Sequence, residues 1–109
     1  DFSFGKYNIE NAVLNYCGDK GVSIGEMSTL KIKDIKISNS NSGIVSKDFS
    51  FNETDFASFK TTKYCLEAYN KKQEFSGGFI SIKNLSCDES NIEKLSVSSN
   101  SKIELDNGF

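Results

Sequence analysis

Leu30-Lys-Ile32-Lys-Asp34-Ile35-Lys-Ile37 is the stretch on which the fold turns. Its apolar residues fall at x, x+2, x+5 and x+7, which describes two period-two strands joined by a break of phase at Asp34. The same template maps onto Phe51 to Ser58 at an offset of 21 and onto Ile80-Ser-Ile82-Lys-Asn84-Leu85-Ser-Cys87 after 29 more residues. An earlier copy fits as Tyr7, Ile9, Ala12 and Leu14 at an offset of 23, and a degenerate later one runs through Ile92, Leu95, Val97, Ile103 and Leu105. The residue at the phase break is Asp34, Asp55 or Asn84. Asx suits such a corner because its short side chain bonds nearby backbone and tolerates left-handed conformations.

A second block repeats in step. Gly21-Val22-Ser23-Ile24-Gly25-Glu26 aligns with Gly43-Ile44-Val45-Ser46-Lys47-Asp48 and then with Cys65-Leu66-Glu67-Ala68-Tyr69-Asn70, 22 residues apart each time. A fixed period of this length marks a stacked repeat. Helical spacing is missing, and the one Asn-Gly pair, Asn107-Gly108, provides no turns for antiparallel hairpins. The expected fold is all-β: a right-handed parallel β-helix, or solenoid, of about 4–5 coils. One domain spans 1–109, with regular coils over 7–97 and an inserted loop at 70–78, whose polar residues end in Gly77-Gly78. The predicted core rows are Leu30/Phe51/Ile80, Ile35/Phe56/Leu85 and Val22/Ile44/Leu66. Glu53 falls where Ile32 and Ile82 point inward, so either a bulge turns it outward or the register slips by one there.

Composition limits the chemistry. The 109 residues carry 13 Lys+Arg against 15 Asp+Glu, a net charge of −2, and the sequence has neither Arg nor His. A nucleic-acid partner is not expected without a basic face or the bidentate Arg fork. A Ser-His-Asp triad cannot be built, and no apolar run reaches the length of a membrane span. Residues 1–5 lack the basic start and apolar centre of a signal peptide, so the chain is expected to be processed or excised from a longer one. Cys17, Cys65 and Cys87 have no CxxC spacing. They read as buried, reduced thiols that fill the core, the alternative being one disulfide between neighbouring coils.

The pattern resembles the right-handed parallel β-helix repeat proteins of the pectate-lyase-like superfamily, over residues 7 to 97. Gly18-Asp19-Lys20-Gly21, Ser46-Lys47-Asp48 and Tyr69-Asn70-Lys71-Lys72-Gln73-Glu74-Phe75 also resemble β-helical segments of bacterial surface proteins associated with spore-coat-type kinase domains, although no kinase motif is present. These resemblances imply a cell-surface or extracellular location. The first of them implies polysaccharide chemistry through clustered Asp, calcium and a basic residue. Lys47, Lys71 and Lys72 are the candidate bases.

The most site-like row is Glu26, Asp48 and Asn70, flanked by Lys47, Lys71 and Lys72. Stacked carboxylates repel unless a cation intervenes. Ca²⁺ at Glu26 and Asp48 would relieve the repulsion, and so would the interleaved lysines. Tyr64, Tyr69 and Phe75 with Gly77-Gly78 would form a sugar-stacking platform or else fold back over the stack. Lys31, Lys33 and Lys36 read as a solvated face. The expected function is a non-enzymatic structural or binding module contacting polysaccharide or protein. The alternatives are a fragment of a carbohydrate-active lyase or hydrolase, and a surface segment that self-assembles end to end.

Overall fold

The computed structural model describes residues 4–69, 77–87, 95–98 and 101–108, of which 16–18, 61–63 and 107–108 are described by backbone alone. Three 19-residue strands, β1 (Lys6–Ile24), β2 (Thr29–Lys47) and β3 (Phe51–Tyr69), precede the shorter β4 (Phe79–Cys87), β5 (Leu95–Val97) and β6 (Lys102–Gly108). Every pairing is parallel. The sheet order is β1-β2-β3-β4-β6, with β5 on the second half of β3. No helix occurs among the described residues, and β1, β2 and β3 are joined by short corners of the same wound sheet. This is a parallel β-solenoid of about three turns, fewer than the four to five expected. The long strands β1 to β3 each sweep a turn, whereas the described parts of β4, β5 and β6 cover only portions of one.

The predicted rows through Tyr7/Leu30 and Val22/Ile44/Leu66 are in register as expected. The rows through the first half of β3 are not. The step from β2 to β3 is 22 residues, so Leu30, Asn52 and Ile80 form one row, Ile32, Thr54 and Ile82 the next, and Ile35, Ala57 and Leu85 a third. Phe51 and Phe56, expected inside, are 42% and 54% exposed. Glu53 therefore points outward without a bulge, its carboxylate 3.9 Å from Lys31 Nζ. The Asx row runs Asn11, Asp34, Phe56, Asn84 and Asn107. Asp55 lies one residue before it, 3.5 Å from Lys83.

Burial drives this register. Leu30, Ile32, Ile35, Ile37, Ile44, Leu66, Ile80 and Ile82 are fully enclosed, and each such side chain contributes roughly 1.5–3 kcal/mol. The polar pair in the central turn is accommodated by hydrogen bonds. Asn52 Nδ2 donates to Leu30 O at 3.2 Å, and Thr54 Oγ1 donates to Asn52 Oδ1 at 2.9 Å. Phe59, which follows in the Ile37 row, is also enclosed. Its ring lies where a Cβ on Gly43 would come within 2.9 Å of it, so glycine makes room for the phenyl group.

Cys65 and Cys87 form a disulfide across 22 residues, linking β3 to β4 inside the core. For this pair the expectation of reduced thiols is corrected and the inter-coil bridge holds. The reason is geometric: Cys87 stacks on Phe59 of β3, and Cys65 further along β3 faces the same core, which brings the two cysteines to a Cα separation of 6.3 Å.

Candidate binding surface

The corner after each long strand determines what the surface presents. Ser28 Oγ donates to Gly25 O at 2.5 Å, while Ser50 Oγ donates to Ile24 O at 3.2 Å and shares a 2.6 Å hydrogen bond with Ser46 Oγ. These buried hydroxyls satisfy backbone carbonyls that the bend would otherwise strand. Just before Ser28 and Ser50, and at the same place ahead of β1, stand Phe4, Met27 and Phe49. All three have left-handed backbones, with φ of 49°, 53° and 61°. The main chain continues the stack through them: Phe4 N donates to Glu26 O, and Met27 N donates to Asp48 O.

Left-handed corners are normally filled by Gly or Asn, since a bulky side chain there costs of order 1 kcal/mol or more. Here the chain places large apolar side chains instead, and it leaves them 65%, 53% and 45% exposed. The ridge widens at the next outward row, where Phe51 and Phe79 stack at 4.9 Å with rings 9° from parallel and Phe49 lies 6.3 Å from Phe51. Neither Phe nor Met signals a left-handed corner, so sequence reasoning missed the ridge. The available signal was the 22- to 23-residue spacing of Phe4, Met27 and Phe49.

Of the residues expected to form a site, Glu26 and Asp48 do occupy equivalent places on adjacent turns, each main-chain carbonyl accepting from the left-handed residue of the neighbouring turn, Phe4 for Glu26 and Met27 for Asp48. They differ in setting, because Asp48 is buried with φ of 50° while Glu26 is only half-buried, and both are engaged by other groups. Lys47 is half-buried and engaged as well. Asn70, Lys71, Lys72 and Phe75 lie outside the described residues. Among the described residues no three His, Cys, Asp or Glu side chains converge as metal ligands. Tyr69 is half-buried, and its phenol pKa is raised above the ordinary value mainly by that burial. Lys20 opposes the shift, while Glu67, Asp48 and Asp19 add to it. Ser42 Oγ donates to Glu67 Oε2 at 2.6 Å in the same neighbourhood.

The opposite limb carries charge in alternation. Successive turns place Glu10, Lys33, Asp55, Lys83 and Asp106 in one outward row, each set by the residues on either side of it. Lys33 lies 4.0 Å from Glu10 and Lys83 3.5 Å from Asp55. Glu10, Lys33 and Asp55 of this row, with Asn8, Lys31 and Glu53, line a shallow groove of about 250 Å³.

Protein-family models, curated proteins and solved structures show no match to this chain. The fold and the surface therefore carry the functional argument.

Proposed function

We propose that the chain is a non-enzymatic solenoid module that binds a protein partner through the apolar ridge of Phe4, Met27, Phe49, Phe51 and Phe79. One observation carries the proposal: left-handed strain and solvent exposure recur together at three equivalent corners filled by Phe, Met and Phe. Strained outliers that persist point to a use, and aromatic and Met side chains are enriched in protein interfaces. The stacked rings of Phe51 and Phe79 spend one face each on one another. That arrangement suits packing against apolar side chains better than stacking on a sugar, which needs open ring faces. The disulfide fits an oxidising compartment, consistent with a cell-surface or extracellular location. The finer likeness to pectate-lyase-like solenoids fits the same scaffold.

Photo-crosslinking tests this. A benzophenone amino acid at position 49, compared with one at the exposed off-ridge Val13, is expected to capture a discrete protein from extracts of the producing organism only from position 49. Equal capture from both sites would overturn the ridge as the contact. Release of an ultraviolet-absorbing product from uronate polymers would overturn the non-enzymatic reading in favour of a carbohydrate-active fragment.

A further inference from the structure

Past the Asx row, four outward side chains of β2 and β3 form a small square. Lys36 lies opposite Ser58 and Ser38 opposite Lys60, so two lysines occupy one diagonal and two hydroxyls the other. At the spacings of a parallel sheet the two lysine Cα atoms stand about 8 Å apart. The square lies inside the sheet, with Val13 and Asn15 of β1 on one side and Ser86 of β4 beyond Ser58 on the other. It floors a depression of about 250 Å³ that Val13 and Leu14 border on the β1 side.

Charge sets this depression apart from the groove described above. There Glu10, Glu53 and Asp55 accompany Lys31 and Lys33, whereas no described acid lines the depression. Lys31, Lys33 and Lys83 each pair with an acid, and neither Lys36 nor Lys60 does so among the described residues. Asp34, two residues ahead of Lys36 on β2, pairs with neither of them. Two ammonium groups across one cell repel, and an anion held between them removes the repulsion.

The hydroxyls complete the donor set. Ser58 is exposed, and Ser38 Oγ donates to Asn15 Oδ1 at 2.9 Å. That acceptor also takes Asn39 Nδ2 at 2.6 Å, so the Ser38 proton can turn to a ligand without stranding Asn15. Two ammonium groups and two hydroxyls suit a phosphate group, whose three terminal oxygens and charge of about −2 exceed what a carboxylate offers. Lysine binds phosphate as a point charge, so the missing arginine fork is no obstacle.

We propose that Lys36, Ser38, Ser58 and Lys60 bind a phosphate group, the lysines balancing its charge while Val13 and Leu14 receive an apolar portion attached to it. The site shares no residue with the apolar ridge and stands or falls independently of it.

Backbone amide shifts of the oxidised protein, followed at constant ionic strength during titration with inorganic phosphate and with phenyl phosphate, test this. Saturable shifts are expected at 36–38 and 58–60, with Kd on the order of 1 mM. Lys36→Ala and Lys60→Ala should each weaken binding about fivefold or more, while Lys31→Ala, at an exposed lysine outside the square, should leave it unchanged. The substituted side chains are exposed, so the remaining amide positions report that the fold is kept. Tighter binding of phenyl phosphate assigns the site to an organic phosphate monoester, and equal affinity assigns it to the free ion. Shifts that do not saturate, shifts spread evenly over the exposed lysines, or affinity indifferent to both Lys36→Ala and Lys60→Ala would overturn the proposal.

Discussion

Cys65 is bonded to Cys87, which stacks on Phe59 of β3, so the segment between the two cysteines forms a closed loop that contains the inserted residues between β3 and β4. A cross-link over 22 residues restricts the unfolded chain and is expected to stabilise by about 3 kcal/mol. Urea unfolding with and without reductant, together with the Cys65→Ala/Cys87→Ala double variant, should show that loss. A midpoint unmoved by reduction would mean the bridge does not form in solution.

Asn52 and Thr54 are a coupled polar pair within apolar rows. Changing Asn52 to Leu leaves the Thr54 hydroxyl without its acceptor, so the single variant should lose about 1–3 kcal/mol. Adding Thr54→Ile restores an apolar row and is expected to recover most of that loss. A double-mutant cycle by chemical denaturation measures the coupling, and simple additivity would contradict the pairing.

Gly78 sits where a Cβ would lie 2.0 Å from Ser46 O and 2.3 Å from its carbonyl carbon, both main-chain atoms. Neither can swing aside as a side chain would. Gly78→Ala is therefore expected to cost about 2 kcal/mol or more by forcing the two turns apart. Thermal unfolding reads this directly, and a neutral substitution would show that the corner is looser than described.

Phe49 combines strain with exposure, so Phe49→Asn should raise stability, by up to about 1 kcal/mol, while weakening partner capture. Opposite signs for stability and binding are the signature of a residue kept for contact. Loss of both together would point instead to a packing role.

The raised pKa of Tyr69 makes the folded state hold its proton at alkaline pH more tightly than the unfolded chain does. Its contribution is fully present below the unfolded value of about 10 and is lost as pH rises through the folded value. Tyr69→Phe should flatten that alkaline decline in stability measured by urea titration. An unchanged slope would separate Tyr69 from the effect.

The solenoid is legible in the sequence because a wound sheet stacks like on like, and Val22, Ile44 and Leu66 repeat without drift. The β3 register is harder to read. Hydrophobicity pulls Phe51 and Phe56 inward, whereas the structure encloses Asn52, Thr54, Ala57 and Phe59. A hydrogen bond between two side chains two residues apart offsets the burial of polar groups, and no apolar pattern records it. Glu53 marked the fault, since a carboxylate in an apolar row was the one misfit, and the one-residue slip is its resolution. The Cys65–Cys87 bridge realises the alternative of one disulfide between neighbouring coils, although its 22-residue spacing is not the stacking step there, since Cys87 stacks on Phe59. The corner ridge was hidden because backbone handedness at Phe4, Met27 and Phe49 contradicts residue preference. Lys31 and Lys33 do lie on a solvated face, and stacking sets Glu53 and Glu10 beside them, which a linear reading does not show.

The row from Glu10 to Asp106 has a parity. Removing a single interior turn would set two like charges face to face, Glu10 on Asp55 or Lys33 on Lys83, whereas removing two adjacent turns would restore the alternation. Coils in this scaffold can therefore be lost or gained in even numbers at no electrostatic cost along this row, and in odd numbers only with a clash.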